Sequence, residues 1–249
     1  MKYLLWDFDN TLAYREGAWS GTLHSILKRN GIHNINLEDI RPFLNIGFPW
    51  HSPEIPHILL FNGTIWWEYM NEYFAEIYEK VGINRDQAIN YASQVQNEYK
   101  NIEKWHLYDD VIPTLQDAIK NNYKNVILSN HIPDLHEIID QLNIKKYFDG
   151  IYTSGKIGHE KPSLKFYDYV INDLKIEKTK CIMIGDNYNA DIAGALHAGI
   201  QAILVRKSND KNYKFYSQDF KQILKIVRQI STIEEGGIST ATENAVCGN

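Results

Sequence analysis

The chain reads as an α/β protein: a doubly wound parallel sheet with an α-helical insertion after its first strand. Three observations predict this. An isolated apolar run, Tyr3-Leu4-Leu5-Trp6, opens the chain; the stretch that follows repeats its apolar residues only at helical spacing; and after Leu107 strand and helix patterns alternate.

In order, residues 1–13 are a strand and the turn leaving it. Leu23, Ile26 and Leu27 predict a first helix. Trp66, Met70, Tyr73, Ile77 and Val81 predict a longer one, its stripe widened by Phe74 and Tyr78. Ala88, Tyr91, Ala92 and Val95 indicate a further helix. Residues 41–62 hold four of the seven prolines, so a regular helix cannot run through them and an ordered loop is expected. From Val111 to Ile119 a helical face precedes the β-branched run Asn125-Val126-Ile127-Leu128. A helix with Leu135, Ile138, Ile139 and Leu142 leads to the short strand Gly150–Thr153. Another, with Leu164, Phe166, Tyr167, Val170, Ile171 and Leu174, leads to Cys181-Ile182-Met183-Ile184. A small-residue helix over 193–198 and a final central strand, Ala202–Val205, complete the pattern. Residues 232–249 have three glycines, many small polar residues and no periodicity, and read as a flexible tail.

A chain of 249 residues with 44% hydrophobic content can build one α/β core and a smaller lobe. Net charge is −5 with no long basic block, which disfavours nucleic acid as the main partner. Cys181 and Cys247 offer neither a disulfide framework nor a metal cluster and suit a reducing compartment. The first apolar stretch breaks at Asp7, too early for a signal peptide, and no run has the length to cross a bilayer. A cytoplasmic protein without a membrane partner is expected; oligomeric state is left open.

Chemistry concentrates where strands end. Asp7 and Asp9 follow the first strand, two like charges one residue apart that a hard divalent cation would relieve. Ser129-Asn130 ends the second, Glu160-Lys161-Pro162 precedes a helix, and Gly185-Asp186-Asn187 ends a third, with Asp191 five residues beyond Asp186. The carboxyl edge of an open α/β sheet is where ligands bind. Each piece has an ordinary reading as well: an acidic turn, a helix cap at Ser129-Asn130, an exposed loop lysine, a strand-to-helix turn.

In order and spacing these segments resemble the four motifs of the haloacid dehalogenase (HAD) superfamily, specifically its phosphatases, over roughly residues 1–230. The resemblance implies a Rossmann-like core at 1–13 and 108–231 and a helical cap domain at 14–107, matched in position and helical content rather than by motif. It implies Asp7 as a nucleophile that becomes an aspartyl-phosphate, with Asp9 as proton donor to the leaving oxygen and then base for water. Mg²⁺ would be held by Asp7, the backbone carbonyl of Asp9, and Asp186. Asn187, Asp191 and Thr11 would stand behind the ligands, orienting waters or Lys161. Ser129, Asn130 and Lys161 would receive the phosphate oxygens. Asn10 stands where glycine is frequent, and tolerates left-handed backbone; Tyr188 leaves both flanking acids in register.

Within the superfamily, Asp9 argues against dehalogenation, which has no alkoxide to protonate, and Thr11 argues against a phosphomutase. Nothing marks Lys28 as a Schiff-base lysine. The implied substrate is a small phosphorylated metabolite: a sugar phosphate, nucleoside monophosphate or phosphorylated acid. Phosphotransfer, or a non-catalytic regulatory role on the same fold, are the alternatives. The loop Gly47-Phe48-Pro49-Trp50-His51, with Arg41 nearby, can grip a leaving group or simply pack the cap's own core. His131 reads as an exposed loop residue or a neighbour of the site.

Overall fold

The computed structural model describes residues 2–60 and 63–243, without the side chains of Ile58 and 234–243. Six parallel strands form the sheet in the order β5-β4-β1-β6-β7-β8. These are β1 (Lys2–Trp6), β4 (Tyr123–Ser129), β5 (Gly150–Thr153), β6 (Cys181–Gly185), β7 (Gln201–Val205) and β8 (Tyr216–Ser217). Two three-residue strands, β2 (Ala13–Arg15) and β3 (Trp105–Leu107), pair antiparallel apart from it.

Alternation along β1 divides the core. Leu4 and Trp6 face one side, packed with Val111, Leu115, Ile139 and Val227; Leu5 faces the other, with Val126, Met183, Phe166 and Ala195. Both sheet faces are thus covered, as a parallel sheet requires. The helices are α1 (Ala18–Arg29), α2 (Leu37–Ile40), α3 (Gly63–Lys80), α4 (Arg85–Ala92), α5 (Val95–Tyr99), α6 (Val111–Lys120), α7 (Leu135–Gln141), α8 (Ser154–Ile157), α9 (Leu164–Leu174), α10 (Gly194–His197) and α11 (Ile223–Glu243). No helix among the described residues is long and apolar enough to cross a membrane.

Several expectations change. The proline-rich stretch is ordered as three short 3₁₀ turns, Arg41–Asn45, Pro49–His51 and Ile58–Leu60. The insertion is not purely helical: β3 closes it by pairing Leu107 with Ala13. Three residues are too few to show a period-2 pattern. β7 is the final central strand, as expected, because a further two-residue strand, β8, lies outside it at the edge. The helix after β6 starts early, with a π-helical turn at Tyr188–Ala193 running into α10. The tail expected from residue 232 is helical to Glu243, because the buried stripe Ile223, Val227 and Ile230 nucleates a helix that propagates past it. Residues 244–249, including Cys247, lie outside the described residues. Cys181 is a buried free thiol.

Candidate active site

β1 sits between β4 and β6, so the crevice beyond its carboxyl end is where strand order reverses. Asp7 lies there, and its N–H extends the ladder to Ile184 O at 2.9 Å, fixing the backbone beneath the carboxylate. Asn10 adopts φ 58°, the left-handed turn that asparagine tolerates.

Asp7 Oδ1 accepts hydrogen bonds from Ser129 Oγ at 2.9 Å and Lys161 Nζ at 2.7 Å. Lys161 is 2% exposed and also donates to Asp191 Oδ1 at 2.6 Å. Burial alone would weaken its hold on a proton, but the charges of Asp191 and Asp7 outweigh that and raise its pKa. Asn130 clamps the Lys161 backbone in both directions, accepting from its N–H at 2.7 Å and donating to its carbonyl at 2.9 Å. The expected phosphate donors are therefore partly committed: the Ser129 hydroxyl to Asp7, the Asn130 amide to Lys161.

Thr11 Oγ1 bridges Asp7 Oδ2 and Asp186 Oδ1, both at 3.5 Å. Asp191 Oδ2 accepts from the Asn187 N–H at 2.9 Å, while the Asn187 side chain caps the following turn through the N–H groups of Asn189 and Ala190. Gly185 makes that return possible. A Cβ there would stand 2.2 Å from Asp191 Oδ2, so any side chain would expel the carboxylate.

Oxygens of Asp7, Asp186 and Asp191 lie within 4.8 Å of one another, an arrangement that can hold a metal ion. Burial and the charge of Asp7 push Asp186 up, against the pull of Lys207. Burial raises Asp191 as well, with Asp7 and Asp186 adding to it and Lys161 opposing. Lys207 Nζ pairs with Asp186 Oδ2 at 2.7 Å. Hard oxygen donors and mutual repulsion both fit a divalent cation.

The side chain of Asp9 stands outside this cluster. It turns to His131, whose Nε2 is 3.6 Å from Asp9 Oδ2. Burial pushes the Asp9 carboxyl well above its ordinary value, and the charges of Asp7 and Asp186 add to this against Lys161. Its side chain keeps 37% of its surface open, so solvent tempers the first contribution.

A cleft of about 530 Å³ opens over these groups, lined also by Trp50, His51, Pro53 and Lys207. A cavity of about 240 Å³ adjoins it through Asp9, Asn10, Trp50, His51 and Asn130, and reaches Trp19, Phe48 and Tyr99. Trp50 and His51 are thus at the cleft, whereas Arg41 lines neither cavity. It pairs with Glu38 at 2.5 Å on the surface. One residue escaped the sequence reading. Lys207 follows β7, so the strand-end rule applied to that strand would have found it. Of the two readings of His131, the structure bears out the neighbour of the site that its place after Ser129-Asn130 suggested; it is buried, not an exposed loop residue, among Phe8, Tyr99 and Trp105 from distant segments.

A family model described as haloacid dehalogenase-like hydrolase matches residues 1–199. The chain belongs to this family. Among curated relatives, pyrimidine 5'-nucleotidase PynA of Streptococcus pneumoniae is 25% identical over 218 residues, 85% of this chain and 86% of the relative. Glyceraldehyde 3-phosphate phosphatase of Methanothermobacter thermautotrophicus is 26% identical over 129 residues, 51% of this chain and only 57% of the relative's length. Among solved structures, YfnB from Bacillus subtilis, bound to magnesium, superposes with a TM-score of 0.73 at 17% identity. That match covers 91% of this chain and 98% of that one, and establishes the shared fold. This chain is thus an HAD-like hydrolase on an α/β parallel-sheet fold.

Proposed function

We propose that the protein is a Mg²⁺-dependent phosphomonoesterase acting on a small phosphorylated metabolite through an aspartyl-phosphate. The observation that carries this reading is the Asp7 carboxylate, held by Ser129 and Lys161 beside two further acids at the floor of a cleft. Phosphate and nucleotide ester hydrolysis in the names of the relatives points the same way.

Asp7, Asp186 and the carbonyl of Asp9 would hold the cation, with Asp191 and Thr11 behind them. When bound, Mg²⁺ supplies charge neutralisation between the carboxylates and the phosphate. The Asp7 carboxylate attacks phosphorus as the ester P–O bond breaks. Asp9, its pKa raised, gives its proton to the departing oxygen. Lys161 offsets charge on the phosphoryl oxygens. Asp9 then takes a proton from water, which attacks the aspartyl-phosphate, releases orthophosphate and restores Asp7.

Residues 14–107 would act as the cap and 1–13 with 108–231 as the core, the β2–β3 pair being the joint between them. Trp50 and His51 would face the leaving group. Hydrolysis of an aryl phosphate with Mg²⁺ and with chelator tests the reading. Turnover that needs Mg²⁺ and vanishes in Asp7→Asn supports it; turnover indifferent to chelator overturns it.

A further inference from the structure

His131 is 1% exposed, and neither ring nitrogen has a hydrogen-bond partner. Buried polar atoms are nearly always paired, so an unpaired imidazole beside a reactive centre calls for a reason. Its backbone is firmly placed: the N–H donates to Ser154 Oγ at 3.2 Å, and the carbonyl accepts from Thr153 Oγ1 at 2.6 Å and Gly155 N at 3.1 Å. Its ring is walled by Phe8, Tyr99 and Trp105, with centroids 5.5, 5.8 and 5.7 Å away. Out of this apolar box, Nε2 faces Asp9 Oδ2 at 3.6 Å.

We propose that His131 is a positioning residue for Asp9, its Nε2–H holding the outer carboxylate oxygen once Asp9 has given its proton to the leaving group. The inference rests on the reading of Asp9 as the acid. At 3.6 Å the contact is longer than a hydrogen bond, and Asp9 is the partner free to close it, since its side chain is 37% open to the cleft. Catalytic hydrogen bonds commonly tighten only in the substrate complex. Walled by aromatic rings, the imidazole is placed as an uncharged donor. A neutral donor stabilises the carboxylate without a formal charge that would strip Asp9 of its proton too early. In the step, the proton passes from Asp9 to the departing oxygen as the P–O bond breaks; His131 neither gains nor loses one. Being buried, it touches no substrate.

The test is kcat/KM along a series of phosphate monoesters, from alkyl to nitrophenyl, for the unmodified enzyme, Asp9→Asn, His131→Phe and His131→Gln. Melting temperature is read for each. His131→Phe should lose about tenfold on alkyl esters, which need an acid, and within about threefold on nitrophenyl esters, which do not. KM should stay near its original value. The melting temperature should not fall, because an unpaired polar group leaves the core. His131→Gln keeps an N–H donor and should recover most of the alkyl activity. An equal loss across the series, or none, overturns the proposal and makes His131 a packing residue. Should His131→Phe fail to fold, His131→Met takes its place in the same comparison. If Asp9→Asn is itself blind to the leaving group, the acid assignment fails, and that result is distinct from a failure confined to His131.

Discussion

The carboxyl edge of the sheet and the helical segment above it use their residues in opposite ways. At the edge, Asp7, Lys161, Asp186 and Asp191 are buried charges set against one another: Asp7 and Asp186 follow strands, Lys161 precedes α9, and Asp191 lies in the π-helical turn after β6. Above it, Trp19 stacks on Tyr99 with centroids 3.8 Å apart, and Phe48 on Trp50 at 4.6 Å, so apolar rings mostly spend their faces on each other. Charges are costly to bury and have few geometries that work, while aromatic packing has many. The edge is therefore where substitutions should be felt most sharply in chemistry, and the segment above is where they should move selectivity.

The largest effect should come at the edge. Asp7→Asn should lower kcat on any phosphate ester by at least about a thousandfold, measured in steady state, because it removes the proposed nucleophile. Lys161→Met should cost about 3 kcal/mol in urea unfolding, since Asp7 and Asp191 lose their shared buried partner. A Met variant as stable as the original would mean the charge network is not what holds this edge.

Acid should expose a second difference. His131 stays neutral in the fold down to about pH 3, whereas the unfolded chain takes up its proton near the ordinary histidine value. Between those limits the unfolded state binds one more proton, so stability falls as pH falls, by about 1.4 kcal/mol per pH unit. Asp9, Asp186 and Asp191, all raised, act with the opposite sign: their contribution is present at low pH and is lost as pH rises through their folded values. Subtracting the unfolding curves of His131→Phe from those of the original isolates the histidine slope; parallel curves would contradict it.

Smaller effects belong to the segment above. Trp50→Ala should shift relative kcat/KM among substrates by about tenfold while leaving kcat on a minimal phosphate ester nearly intact. Equal losses on all substrates would move Trp50 from selectivity to support. Arg41→Ala should be the quietest, changing stability by less than about 0.5 kcal/mol and selectivity hardly at all, because its pair with Glu38 is exposed and remote from the cleft.

The same contrast explains what could be read without coordinates. Strand ends are visible as apolar runs broken by polar residues, so Asp7, Ser129 and Asp186 were legible together with the parallel sheet that gathers them; Lys161, in the loop before α9, was legible only through the resemblance. The left-handed turn at Asn10 was legible too, from the chemistry of asparagine. Arg41 was misjudged because proximity in sequence to Trp50 says nothing about which side of a 3₁₀ turn faces the cleft. For His131, nearness to the site was legible from its place after Ser129-Asn130, but its burial was not, because that depends on Phe8, Tyr99 and Trp105, which the fold brings together from three segments. The strands β3 and β8 were too short to carry a period, and Gly185 gives no sign in sequence that Asp191 will fold back against it.

The central claim is that Asp7 carries the phosphoryl group. Mixing the Mg²⁺-supplemented protein with acetyl phosphate, quenching in acid and mapping peptides by mass spectrometry tests it directly. A single phosphoryl group on Asp7, absent from Asp7→Asn and from chelated protein, is the predicted result. A phosphoryl group on any other residue, or turnover of acetyl phosphate by Asp7→Asn, would contradict it.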